Sequence, residues 1–278
     1  MATLLLFDSL HFVFARLLLP VIEPQASALY VMAISVLEVG IFGIATRRLH
    51  WTTGKRYIWF FAAIGALVAV NMSIHYEAVA LIDPGMASLL NQSAVLFNLG
   101  FGILWLRDRL APLQGVGALI ALTGVITISF QPGDYLRLGA LLVVIAALMY
   151  ATHNALTKRY GGEIAFLDFF FFRLLATATS LMLITVGRGA LVWPTPKAWG
   201  LMLLVATVDI VLSRTLYYLA LRRLSMSTHT IALTLSPVAA AIWAFVIFGS
   251  EPGLQQVLGG IAILVGVAIV SLGRPSNR

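Results

Sequence analysis

The chain has 278 residues and is too apolar for an ordinary soluble domain. Hydrophobic residues make up 60% of it and charged residues only 10%, whereas soluble domains carry about 25% charged residues. It contains no cysteine, which excludes disulfides, thiolate catalysis and cysteine-ligated metal sites. The composition therefore predicts an all-α membrane protein that crosses the bilayer several times.

Ten apolar segments follow one another along the chain, separated by prolines, glycines and short polar loops. A helix needs about 20 residues to cross the hydrocarbon core of a bilayer. Segments one to ten are, in order, residues 2–19, 27–46, 57–81, 84–106, 113–130, 136–157, 166–187, 197–221, 226–248 and 254–272. Each is long enough to span the membrane as a helix, so we predict ten transmembrane helices.

The fifth and tenth segments share a pattern of residues at an offset of 142. The matched residues are Gln114 with Gln256, Gly117 with Gly259, Leu122 with Leu264, Gly124 with Gly266, Val125 with Val267, and Ser129 with Ser271. At the same offset His11 falls on His153, and the loop that begins at Trp51 falls on the loop that begins at Trp193. A fixed offset that spans helices and loops predicts a duplicated chain, with halves 1–133 and 134–278.

The glycines of this pattern lie seven residues apart in each copy, which is two helical turns. They therefore lie on one face of each helix. Small residues on one face let a neighbouring helix backbone approach closely in a membrane. We expect each glycine pair to mark such a contact.

Basic residues are distributed unevenly among the loops. Twelve of the eighteen Lys and Arg residues lie in the even-numbered loops and the C-terminal tail, and four lie on the opposite side. Positive loops stay in the cytoplasm, so we predict a multi-pass protein of the inner (plasma) membrane with both termini cytoplasmic. The net charge of +7 is then a topology signal, and no nucleic-acid partner is expected.

The number of helices in each half determines how the halves are related. Five is an odd number, so the second half must enter the membrane from the side opposite to the first. The sequence thus predicts two inverted five-helix repeats. In transporters with this architecture the substrate site lies between the repeats, near the middle of the membrane.

Polar side chains within the apolar segments are costly in a membrane and mark candidate sites. Residues three or four apart share a helical face, and this spacing groups the candidates. The predicted substrate-binding residues are Asp8 and His11; Asn71 and His75; Tyr150 and His153; Asp209, Ser213 and Tyr217; and Arg214 and Tyr218. A purely structural interhelical hydrogen bond is the alternative role for each. Glu38 and Arg173 are expected to have structural or lipid-edge roles.

Several short motifs resemble the drug/metabolite transporter superfamily, specifically its ten-helix EamA type. The first half carries Tyr76-Glu77-Ala78, Arg107-Asp108-Arg109 and a Gln-x2-Gly-x6-Gly-Val helix from Gln114 to Val125. The second half carries Tyr218-Leu219-Ala220, Ser236-Pro237, Ser250-Glu251 and the matching helix from Gln256 to Val267. The resemblance covers essentially the whole chain and is closest to the YddG-type exporters of aromatic amino acids.

The resemblance implies a central cavity lined by segments one, three, four, six, eight and nine. Two positions depart from symmetry between the halves: Val95 stands where the second half has Pro237, and segment two has no counterpart of Arg173. The implied function is export of small metabolites, most of all amino acids including aromatic ones, by alternating access.

Other functions are also consistent with an apolar, multi-pass chain. A broad-specificity drug or metabolite exporter would have the same fold. A channel lacks support because no filter-like loop is repeated. An intramembrane enzyme lacks a recognisable nucleophile or metalloprotease motif, so no enzymatic activity is expected. The expected partners are a small-molecule substrate and membrane lipid, with a proton as a candidate coupling ion, and no cofactor or metal is expected.

Overall fold

The computed structural model describes residues 6–105, 111–131, 135–136, 138–216 and 235–272. These residues are almost entirely helical. The helices are α1 (His11–Leu18), α2 (Pro24–Ala45), α3 (Trp51–Arg56), α4 (Ile58–Ala78), α5 (Pro84–Asn91), α6 (Ala94–Leu104), α7 (Pro112–Ser129), α8 (Leu138–Tyr160), α9 (Phe166–Gly187), α10 (Pro196–Val205), α11 (Ser236–Phe248) and α12 (Leu254–Leu272). A π-helix, Ala206–Leu212, continues α10. Two-residue strands, β1 (Phe130–Gln131) and β2 (Tyr135–Leu136), pair antiparallel between α7 and α8.

Within the described residues, eight helical spans are long and apolar enough to cross a membrane. They correspond to segments two to eight and segment ten. Helices α1 and α11 lie in segments one and nine, and parts of both segments fall at residues 1–5 and 217–234, outside the described residues. The protein is therefore an all-helical, multi-pass membrane protein, and the total of ten spans stays a prediction.

Prolines begin four of the helices, as the sequence breaks indicated. These prolines are Pro24, Pro84, Pro112 and Pro196. Proline suits the first helical turn because its missing N–H would have no partner there. Two of these starts are also capped by a side chain: Asp83 Oδ1 accepts from Gly85 N at 2.7 Å, and Thr195 Oγ1 accepts from Ala198 N at 3.3 Å.

Segment four, predicted as one continuous helix, is broken into α5 and α6. The break falls at Gln92 and Ser93, where the chain forms tighter hydrogen bonds across three residues. Ser93 N donates to Leu90 O at 2.9 Å, and Val95 N donates to Gln92 O at 3.0 Å. The break thus falls at the polar run Asn91-Gln92-Ser93, where bonds across three residues replace the regular helical ones.

Segment eight is also irregular, because its middle is the π-helix. In this section the backbone N–H of Ser213 donates to Val208 O, five residues earlier. The wider turn changes the angular spacing of side chains. Spacing in the sequence therefore does not determine which faces Asp209, Ser213 and Arg214 occupy, and all three must be located from the structure.

Helices α7 and α12 cross at the repeated glycines. A Cβ added to Gly117 would lie 2.7 Å from Gly266 O, and one added to Gly124 would lie 2.5 Å from Gly259 O. Gly117 thus meets Gly266 while Gly124 meets Gly259, so the two helices run antiparallel. The close backbone approach predicted from the glycine spacing is confirmed.

Part of the buried core lies where α9 packs on α2 and α4. Phe61, Phe171 and Phe172 form an aromatic cluster there, in which the Phe172 ring lies 5.5 Å from that of Phe61 and 5.2 Å from that of Phe171. The outer surface is apolar as well, with Trp59 and Leu104 each 85% exposed. An apolar exterior of this kind is compatible with lipid rather than water as the surrounding solvent.

Candidate functional site

A cavity of about 430 Å³ lies among the helices and is lined by both predicted halves of the chain. Protein cavities that bind small molecules commonly measure about 300–1,000 Å³. The polar residues that line it are Asp8, His11, Asn71, His75, Ser88, Asn91, Gln92, Asn98, Tyr150, Asn154, Arg173, Arg214 and Ser236. All six segments predicted to line a cavity contribute to it, and so do Met32 of segment two, Arg173 of segment seven and Val267 of segment ten.

An ionisable pair joins α1 to the π-helix beside this cavity. His11 Nδ1 lies 2.7 Å from Asp209 Oδ2, and the Asp209 side chain is 1% exposed. His11 is the only hydrogen-bond partner of this carboxylate within the described part of the chain. The His75 ring lies 5.8 Å from that of His11. The hydrogen bond therefore ties the buried Asp209 carboxylate of the π-helix to the cavity-lining His11 of α1.

A second charged pair connects the start of the chain to the residues that follow the π-helix. Asp8 Oδ1 lies 3.8 Å from Arg214 Nη1. The other oxygen, Asp8 Oδ2, accepts a hydrogen bond from Ser236 Oγ at 2.9 Å. Arg214, a predicted substrate-binding residue, therefore already has an acidic partner in this structure.

Polar groups from α8 form a separate cluster. The rings of Tyr150 and His153 stack with centroids 5.7 Å apart. His153 Nδ1 lies 3.2 Å from Asn154 Oδ1, and Asn154 Nδ2 donates to Asn98 Oδ1 of α6 at 3.5 Å. The cluster links α8 to α6, just beyond the break in segment four.

The structure locates nine of the eleven predicted site residues, and they fall into two groups. Those that line the cavity are Asp8, His11, Asn71, His75, Tyr150 and Arg214. Those that do not line it are His153, Asp209 and Ser213. Tyr217 and Tyr218 lie outside the described residues.

The residues that do not line the cavity are buried behind it. Asp209 is linked to the cavity lining by its hydrogen bond to His11, and the His153 ring stacks on that of Tyr150, which lines the cavity. Ser213 is 1% exposed, and its hydroxyl has no hydrogen-bond partner among the described residues. Asn71 lines the cavity but also donates to Ala146 O of α8 at 2.7 Å, so its amide nitrogen serves a structural contact.

From the sequence we expect a structural or lipid-edge role for Arg173, whereas its side chain lies on the cavity wall. The position of Arg173 in the sequence could have indicated this, because a charged residue in the middle of an apolar segment needs a polar environment. The expectation for Glu38 agrees with the structure, since Thr207 Oγ1 donates to Glu38 Oε1 at 2.6 Å and pairs α2 with the π-helix.

A helical multi-pass membrane protein with a polar cavity among its helices has the architecture of small-molecule transporters. The sequence profile of the EamA-like transporter family matches this chain twice, over residues 1–130 and 137–272. The chain belongs to the EamA-like transporter family, within the drug/metabolite transporter superfamily.

Two relatives are themselves described only as transporters. The chain is 25% identical to the uncharacterized transporter YdfC of Bacillus subtilis (strain 168), over 90% of this chain and 82% of that protein. It is 25% identical to the uncharacterized transporter sll1164 of Synechocystis sp., over 76% of this chain and 65% of that protein. A solved crystal structure superposes with a TM-score of 0.66 at 19% identity, covering 96% of this chain and 93% of the other. At that identity the similarity shows the fold alone.

Proposed function

We propose that this protein is a secondary transporter that exports small metabolites, most of all amino acids including aromatic ones. The observation that carries the proposal is the polar cavity of about 430 Å³, lined by residues from both family-matched segments. Phe12 and Tyr150 give its wall aromatic surface, and Asn91 and Asn98 supply amide groups. Such a mixture suits a solute with an apolar side chain and a polar backbone.

The proposed architecture is a pair of inverted five-helix repeats, residues 1–133 and 134–278, with ten spans in all. The reciprocal contacts of α7 and α12 support it, because Gly117 meets Gly266 while Gly124 meets Gly259. At the offset of 142 residues, Gly259 is the counterpart of Gly117 and Gly266 is the counterpart of Gly124. Each contact therefore pairs one glycine of α7 with the counterpart of the other. A twofold axis between the two helices would produce this exchange.

The proposed mechanism is alternating access between two polar layers related by the same offset. The first layer contains His11 and His75. The second contains their counterparts His153 and Tyr217, with Arg214 and His229; Tyr217 and His229 lie outside the described residues. His11 and His153 occupy equivalent positions, so an inverted repeat would place them toward opposite membrane faces. The helix break at Gln92 and the π-helix give the two wall segments irregular backbone beside the cavity, as in other transporters.

The proposed function predicts saturable transport by the purified protein in liposomes. Labelled phenylalanine and tryptophan should exchange across the membrane, and unlabelled amino acid on the opposite side should accelerate the exchange. A channel would give flux without this countertransport, and an enzyme would give a chemically altered product. Flux that does not saturate, or product formation, would contradict the proposal.

The proposed topology predicts the location of the C-terminus. Alkaline phosphatase fused after Arg278 should be inactive because it stays in the cytoplasm, whereas a fluorescent protein fused there should fluoresce. The matched control is a phosphatase fusion after Gly189, in the loop between α9 and α10, which should be active. An active phosphatase at Arg278 would contradict either the ten-span count or the orientation in the inner membrane.

A further inference from the structure

The cavity wall carries charges that are not all balanced by neighbouring protein groups. Asp8 and Arg214 lie 3.8 Å apart and compensate each other. His11 is paired with Asp209. Arg173 has no such acidic partner, because within the described residues no carboxylate lies within 4.0 Å of its guanidinium.

The surroundings of Arg173 hold the side chain on the cavity wall. Its guanidinium carbon lies 5.7 Å from the centre of the Phe170 ring, one turn earlier on α9. Its Nε is shielded from solvent and has no hydrogen-bond partner among the described residues. Leu174, the next residue, also lines the cavity, so this stretch of α9 forms part of the wall.

A cation in this position is costly in a membrane protein unless a counter-ion accompanies it. We propose that the transported solute supplies that counter-ion, and that Arg173 is the residue that binds the carboxylate of the substrate. The inference rests on the proposed transport function and specifies the chemistry of its site. Arginine is suited to this role because its planar guanidinium can donate two parallel hydrogen bonds to one carboxylate.

The stacking on Phe170 contributes to the same role. A guanidinium held against an aromatic ring loses less conformational freedom when it binds a planar anion. The aromatic surfaces of Phe12 and Tyr150 on the same wall would contact the apolar part of the solute. The ligand class is therefore a small amphipathic carboxylate. Amines and amides of the same shape should be poor substrates because they leave Arg173 without a counter-ion.

The test measures competition for labelled phenylalanine transport in liposomes. The competitors are unlabelled phenylalanine, 3-phenylpropionate, which keeps only the carboxylate, and phenylalaninamide, which keeps only the amine. The proteins are wild type, Arg173→Gln, Arg173→Lys and the control Arg48→Gln, whose side chain lies in an exposed loop. The lysine variant keeps the positive charge at position 173 while removing the guanidinium.

Wild type and Arg48→Gln should prefer the two carboxylates to the amide. Arg173→Gln should lose about 10- to 100-fold of that preference, the effect of removing one charged hydrogen-bonding partner. Arg173→Lys should retain part of it. Wild-type carboxylate preference in both Arg173 variants would overturn the assignment while leaving the transport function intact. Absence of saturable flux for every labelled amino acid in the wild-type protein would instead overturn the proposed function, and the assignment with it.

Discussion

Replacing Gly266 with alanine should destabilise the protein by about 3 kcal/mol. The added Cβ would overlap the backbone nitrogen of Ala121 and would lie 2.6 Å from Gly117 O. Both obstacles are backbone atoms of α7, so no side-chain rotation can relieve the overlap. The two helices must move apart, and their other contacts are weakened as a result. The measurement is the apparent Tm of the purified protein in detergent, together with the fraction that remains monodisperse.

Gly200 provides the matched control for this substitution. A Cβ added at Gly200 in α10 meets no atom within 4 Å. Gly200→Ala should therefore leave the Tm unchanged or raise it slightly, because alanine favours the helix over glycine by about 1 kcal/mol. Equal effects of Gly266→Ala and Gly200→Ala would show that the α7–α12 contact is not the close crossing described above.

Replacing His11 with alanine should also destabilise the protein by about 3 kcal/mol. The substitution leaves the Asp209 carboxylate buried without its one hydrogen-bond partner in the described part of the chain. Adding Asp209→Asn should restore much of the loss because it removes the buried charge. The measurement is the Tm of the two single variants and the double variant, combined as a double-mutant cycle.

The His50–Asp168 pair is the control for this experiment. His50 Nδ1 lies 3.1 Å from Asp168 Oδ2, but Asp168 also accepts from Thr53 Oγ1 and from His50 N. His50→Ala should therefore have a small effect, below about 1 kcal/mol, because the carboxylate keeps two donors. A loss as large as that of His11→Ala would contradict this account of the Asp209 site.

The His11–Asp209 pair also provides a test for proton coupling, because it joins two ionisable side chains beside the cavity. If the pair couples substrate to protons, wild-type flux should respond to an imposed pH gradient and Asp209→Asn flux should not. A wild-type flux that ignores the gradient would assign the pair a structural role alone.

Much of the helical framework could be predicted from the sequence because its signals are local. Proline fixes the backbone at the first helical turn, so the breaks before Pro24 and Pro196 correspond to observed helix starts. The glycine spacing of segments five and ten predicted a close backbone approach, and the backbones of α7 and α12 approach closely at these glycines. Both features depend on the chemistry of one or two residues rather than on the rest of the fold.

The irregular backbone could not be predicted, because tertiary contacts determine it. No sequence pattern separated the π-helix around Asp209 from an ordinary helix, and the break at Gln92 falls inside an apolar segment. Side-chain pairs between helices could not be predicted either, for the same reason. Arg214 and Arg173 are both isolated cations within apolar segments, and only the structure shows that Asp8 accompanies Arg214.

The central claim is that substrate passes through the cavity, and a single cysteine tests it most directly. The chain has no cysteine of its own, so Val95→Cys on the cavity wall carries the only thiol. The matched control is Arg48→Cys in an exposed loop. After treatment with a small charged thiol reagent, labelled phenylalanine flux should be lost in Val95→Cys and unchanged in Arg48→Cys. Substrate present during the treatment should protect Val95→Cys. Full modification of Val95→Cys with undiminished flux would show that the substrate does not pass through this cavity.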